Sequence, residues 1–184
     1  MLITKQNGQS KRLQYRIGIV GICLFFICLT AFGQEQVDHF DSLDFSIDIS
    51  ETNLKFLANV SNMLVFADGE FDDIKTFLFV GTVDSVTETI PKDKKTFATD
   101  VTDMMEEFIT IENIEYTHEI SIDGLSGYEI YAKGKRLETG SKVNVYMVVL
   151  FSGNLYHWLF GMTKDETGKS MEDLKKVIQT FKLK

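Results

Sequence analysis

The chain has 184 residues with 19 Lys and Arg against 27 Asp and Glu, a formal net charge of -8, one Pro, one Trp and two Cys. Its 44% hydrophobic and 25% charged composition is that of a globular domain, which excludes collagen-like and disordered classes and suits a single core.

Residues 1 to 16 hold Lys5, Lys11, Arg12 and Arg16 with no acid, and lead into an uncharged run from Ile17 to Phe32. A basic head, an apolar stretch and small residues at Ala31 and Gly33 predict a secretory signal over residues 1–33, cleaved between Gly33 and Gln34. The alternative is a retained signal anchor over residues 17–33 that holds the chain in the inner membrane, although that run is short against the ~20 residues of an ordinary span. A lipoprotein reading at Cys23 or Cys28 is disfavoured because Ile22 and Ile27 stand where a small residue is usual.

Removing residues 1–33 leaves 151 residues with 15 basic against 27 acidic side chains, a charge of -12, and no cysteine. The exported part therefore relies on core burial, without disulfides or thiol chemistry. Its charge argues against nucleic-acid partners and against charge-driven binding to anionic lipid. The expected location is the periplasm or the exterior.

Residues 34–42 read as a polar lead-in, and 43–184 as one α+β domain. Leu43, Phe45, Ile47 and Ile49 alternate with polar residues and predict a strand. Asn53 to Val60 fits helix or strand. Met63 to Ala67 and Ile74 to Val83 predict a hairpin turned at Asp68-Gly69. Phe97, Val101, Met104, Met105 and Phe108 recur at helical spacing, which predicts a helix over Thr96 to Thr110.

Four strands are predicted next: Ile114 to Ile122, Tyr128 to Lys133 after a turn at Asp123 to Gly127, Val143 to Phe151, and Leu155 to Met162. The last two are apolar on both faces and need cover on both. A closing helix over Met171 to Phe181, with Ser170 as N-cap, supplies the second cover. The predicted architecture is an antiparallel sheet sandwiched between helices in three layers.

No catalytic set assembles. Thr167-Gly168-Lys169-Ser170 lacks the upstream glycine at Thr163 that a phosphate loop requires. Asp68, Glu70, Asp72 and Asp73 could offer oxygens to a hard cation such as calcium, or simply form a solvated turn; no other cofactor is expected. Tyr156, Trp158 and Phe160 share one strand face, with His157 adjacent, and could line a ligand groove or pack beneath a helix. His118 and His157 are each expected as hydrogen-bonded core or edge residues.

Gly127-Tyr128, the long apolar strand, the hairpin into Leu155-Tyr156-His157-Trp158-Leu159 and the closing Val177-Ile178-Gln179-Thr180-Phe181 resemble the PsbP-like superfamily, in its bacterial envelope branch. Phe45-Ser46-Ile47-Asp48-Ile49 is similar to its first strand. The resemblance implies the α+β fold and a non-enzymatic role exercised through protein partners. A small-ligand carrier or hydrolytic enzyme using the aromatic and histidine-lined sheet face is the competing class, and a membrane-anchored accessory protein is the third.

Overall fold

A computed structural model describes residues 39–41, 45–60, 63–69, 74–84, 93–106 and 108–184, which all belong to the compact unit Gln36–Lys184. The expected signal segment, most of the lead-in and Glu70, Asp72 and Asp73 lie outside the described residues.

The strands are β1 (His39–Asp41), β2 (Phe45–Asp48), β3 (Lys55–Val60), β4 (Met63–Asp68), β5 (Thr76–Asp84), β6 (Ile109–Ile122), β7 (Leu125–Arg136), β8 (Lys142–Ser152), β9 (Leu155–Thr163) and β10 (Lys182–Leu183). Helices α1 (Lys94–Asp100) and α2 (Lys169–Gln179) complete the order, with a 3-10 turn at Val101–Met105 after α1. Seven strands form one sheet in the order β3-β4-β5-β9-β8-β7-β6, and β1, β2 and β10 form a smaller one. Every pairing in the large sheet is antiparallel. Among the described residues the fold is thus α+β, mostly an antiparallel sheet with two helices.

Turn chemistry sets the registers. Asp123 and Gly124 both have positive φ, 50° and 77°, as the tight type I′ hairpin demands, so β6 passes to β7 in two residues. The wider turn expected at Asp123 to Gly127 is therefore too long: Leu125 to Gly127 already pair in the ladder. Gly127 must be glycine, since a Cβ there would lie 2.0 Å from the Val149 carbonyl oxygen.

The side chains of β8 and β9 alternate between two buried clusters. Tyr146, Val148, Leu150 and Leu159 join Leu78, Val80, Leu174, Val177, Ile178 and Phe181 in one. Val145, Met147, Val149, Tyr156, Trp158 and Phe160 join Ala98, Val101 and Met105 in the other. Burial of each large apolar side chain is worth on the order of 2 kcal/mol, so these clusters hold most of the folding free energy.

The helix expected over Thr96 to Thr110 is shorter. It ends at Asp100, passes through the 3-10 turn, and gives way to β6 at Ile109. The β-branched Ile109-Thr110-Ile111 run gains a full ladder against Arg136, Lys135 and Gly134, which a last helical turn could not match. The ambiguous stretch from Asn53 is strand β3, drawn by its pairing with β4.

Helix α2 buries Met171, Leu174, Val177 and Ile178, matching the expected stripe. Its start differs: Gly168 is the N-cap with φ 85°, and Ser170 is inside the helix. The Asp165 carboxylate accepts the Ser170 N–H at 2.9 Å and the Thr167 N–H at 2.8 Å, a cap supplied from outside the helix. Where α2 crosses the sheet, Gly161 leaves room for Leu174, whose Cδ2 lies 2.9 Å from where a Cβ would stand.

Candidate functional site

The registers on either side of β7 align chemistry that is scattered in sequence. Tyr116 of β6 faces Tyr131 of β7, which faces Tyr146 of β8, which faces Gly161 beneath Leu174. One step along, His118 faces Glu129, which faces Val148. A single row thus runs from the closed core under α2 to the open edge of the sheet.

Its rings contact one another. Tyr116 and Tyr131 lie with centroids 5.6 Å apart and planes at 26°, and Tyr116 stacks on His118 at 4.5 Å and 13°. Such pairs contribute about 0.5–1.5 kcal/mol beyond their buried area. Exposure rises along the row: Tyr146 is 1% exposed, Tyr131 and Tyr116 are half-buried, and the His118 side chain is 64% exposed.

Polar groups converge on the same row. The Tyr146 hydroxyl donates to Glu129 Oε2 at 2.7 Å, and the Tyr131 hydroxyl donates to Asn144 Oδ1 at 3.1 Å. The His118 Nδ1 lies 3.7 Å from Glu129 Oε1, an ion pair whenever the imidazole is protonated. From α2, the Lys175 ammonium stands 5.2 Å over the Tyr146 ring and donates to the Tyr116 hydroxyl at 3.4 Å. Burial, then the hydrogen bond to the Glu129 carboxylate, raises the pKa of the Tyr146 phenol well above its usual range. At neutral pH it is a fixed donor that orients Glu129, and it supplies no base.

The arrangement offers rings, a carboxylate, an ammonium and an imidazole to solvent along one edge. It presents contacts for recognition. Among the described residues no group of three or more His, Cys, Asp or Glu side chains could hold a metal ion. Of the acidic turn proposed for calcium, only Asp68 is described; it ends β4, where its carbonyl accepts the Lys75 N–H at 3.1 Å.

The aromatic set that could line a groove or pack beneath a helix lies elsewhere, and it packs. Tyr156, Trp158 and Phe160 are 5%, 3% and 0% exposed and belong to the cluster on the opposite face from the tyrosine row. The Phe97 ring meets Tyr156 edge-on at 5.1 Å, and the Trp158 indole N–H donates to Met147 Sδ at 3.0 Å. His157 does not join them. The pleat turns it to the other side, fully buried, where its Nδ1 bonds Thr82 Oγ1 at 2.9 Å and its ring packs on Phe181.

His118 shares a side of β6 with Tyr116 and Ile120 and is open to solvent, the edge placement of its two expectations, because β6 is an edge strand. The sequence alone does not single out Tyr116, Glu129, Tyr131, Asn144 or Lys175. Counting outward from Asp123-Gly124 as a two-residue turn would have paired Tyr116 with Tyr131 and His118 with Glu129. A separate open cleft of about 390 Å3 near Lys94, Glu119, Tyr128 and Phe151 brings no comparable convergence of polar groups.

No family model and no curated protein sequence matches the chain. Solved structures do. A Bacteroides thetaiotaomicron protein is similar in fold at 13% identity and TM-score 0.53, over 82% of this chain and 49% of that one, so the chain spans about half its length. LpqN, involved in cell envelope biogenesis of Mycobacterium tuberculosis, is similar at 12% identity and TM-score 0.53, over 81% of this chain and 89% of that one. Cyanobacterial PsbP from Synechocystis matches at 13% identity and TM-score 0.46, over 84% of this chain and 96% of that one. These likenesses are of fold alone: the Bacteroides thetaiotaomicron protein and LpqN share the chain's α+β architecture over about four-fifths of its length.

Proposed function

We propose that this chain is an exported, non-enzymatic binding or assembly module of PsbP-like type acting in the bacterial cell envelope, with the Tyr116–Tyr131–Tyr146 row as its working surface. The observation that carries the reading is the gradient along that row, from a buried phenol locked onto Glu129 to a stacked Tyr116 and an exposed His118. A rigid base presenting open tyrosine rings has the composition of a recognition surface, where aromatic side chains such as Tyr are enriched and carry much of the energy, while the charged groups beside them set orientation and specificity. The fold is shared with a protein of envelope biogenesis, which supports the location. The partners are proteins, since a charge of -12 after removal of residues 1–33 disfavours nucleic acid and anionic lipid. The two helices are taken to cover the two faces of the sheet in a three-layer arrangement, with β3 and β6 as its edge strands.

Affinity capture from the native envelope fraction tests this reading. A partner should be retained by the wild-type chain and lost from the double variant Tyr116→Ala with His118→Ala, whose fold is checked by circular dichroism. Equal capture by both would contradict it.

Export rests on residues 1–33. Among the described residues no helix is long and apolar enough to cross a membrane. N-terminal sequencing of the native protein separates cleavage from anchoring: an end near Gln34 eliminates the anchor.

A further inference from the structure

We infer that the outer side of β6 receives an extended segment of a basic partner protein as an added strand, its apolar side chains lying on the tyrosine row and its basic ones on the opposite face. This rests on the reading above and specifies the kind of partner.

Strand β6 ends the seven-stranded order, and among the described residues only β7 pairs with it. Edge strands are ordinarily blocked by Lys, Pro, bulges or brevity. The first half of β6 is blocked in this way, with register shifts between Ile111 and Asn113 and between Ile114 and Tyr116. The second half is not: Tyr116 to Ile122 pairs one-to-one with β7 and contains neither Pro nor Lys. At about 3.3 Å per residue this offers roughly 20 Å of regular edge, a usual strand length.

Charge selects the occupant. Ile109–Ile122 holds Glu112, Glu115 and Glu119 and no Lys or Arg. Glu112 and Glu115 are met by Lys135 and Lys133 on β7, whereas Glu119 lies exposed within the regular half. A second copy pairing edge to edge would set these acidic strands against each other, which disfavours self-association. A basic strand meets no such penalty. Because side chains alternate, the incoming strand would set one face beside Tyr116, His118 and Ile120 and the other beside Thr117, Glu119 and Ser121. The first neighbourhood calls for apolar or aromatic side chains and the second for Lys or Arg. Main-chain hydrogen bonds would supply affinity, and this alternation the specificity, as in other strand-addition complexes.

The probe is a synthetic peptide about ten residues long that alternates lysine with tyrosine and valine, added to the intact chain. Fluorescence anisotropy reads binding, and hydrogen–deuterium exchange reads the amides of Tyr116 to Ile122. The expected result is binding with exchange across those amides slowed by about tenfold or more, weakened about tenfold by glutamate in place of lysine, and abolished by alternate N-methylation of the peptide backbone. Absence of binding, equal binding by the N-methylated peptide, or protection confined to another strand would overturn strand addition. So would protection of β6 without peptide that grows with protein concentration alongside a dimer in sedimentation, because the occupant would then be a second copy. If wild-type capture of an envelope partner still depends on Tyr116 and His118 while the peptide fails, strand addition falls and the binding surface stands; if that dependence fails as well, both fall.

Discussion

The Tyr146 hydroxyl and the Glu129 carboxylate meet at 2.7 Å between adjacent strands, diagonally across the β7–β8 ladder, and this bond fixes the inner end of the tyrosine row. It also holds Glu129 where one oxygen remains directed at His118, 3.7 Å away. A buried donor thereby sets the position of a carboxylate at the edge of solvent.

Tyr146→Phe keeps the buried ring and removes only that donor. The expected loss is about 1.5–3 kcal/mol in urea denaturation, the usual worth of a hydrogen bond to a charged group. The pH dependence has a definite sign. A phenol whose folded pKa is raised above its unfolded value of about 10 adds stability that is complete below that pH and is lost as pH rises past it. Wild-type stability should therefore decline above about pH 10 by an amount absent from the Phe variant.

Asp165 provides the opposite sign. Its carboxylate accepts backbone N–H bonds from Ser170 and Thr167 and the Thr167 hydroxyl, which hold its pKa well below the usual range. The stability it adds is complete above the unfolded value near 4 and is lost as pH falls below it. Asp165→Ala should lower the melting temperature at pH 7 and leave the two proteins closer together in acid. An unchanged difference between pH 7 and acid would contradict that role.

Two glycines that look equivalent in sequence should differ in tolerance. At Gly161 an added methyl meets the flexible end of Leu174, and at Gly127 it meets the Val149 carbonyl at 2.0 Å, which cannot yield without parting β7 from β8. Gly161→Ala should cost about 1–3 kcal/mol, as overpacking does, and Gly127→Ala more, with loss of soluble folded protein an admissible extreme. Comparable stability for the two variants in thermal denaturation would be inconsistent with these contacts.

Trp158 is the only tryptophan, and it sits 3% exposed with its indole N–H on Met147 Sδ. Its emission should be blue-shifted and poorly quenched by acrylamide in the folded chain, and become red-shifted and accessible in urea. Strong quenching of the native protein would contradict this packing and favour the groove, the other of the two readings open to the Tyr156, Trp158 and Phe160 face.

Much of this was legible in the residues. Alternation in Val143 to Phe151 and Leu155 to Met162 reported strands buried on both sides, and the stripe Met171, Leu174, Val177, Ile178 and Phe181 reported the helix that buries one of them. What failed was decided at a distance. The helical spacing from Phe97 to Phe108 is real, but Ile109 to Ile111 gains a partner strand that lies more than twenty residues ahead in the chain. Ser170 has the residue type of an N-cap, and Gly168 displaced it because Asp165 reaches over to satisfy the helix start. The tyrosine row was hidden because its members come from three strands, and only the two registers flanking β7 bring them into line.

Site-specific photo-crosslinking in the native envelope bears most directly on whether this row is the working surface. With the crosslinker in place of His118, a discrete adduct of the chain with a protein partner should form, and it should be absent when the same group replaces exposed Glu172 on α2. Adducts of equal yield from both positions, or none from His118, would contradict a binding surface at the Tyr116–Tyr131–Tyr146 row.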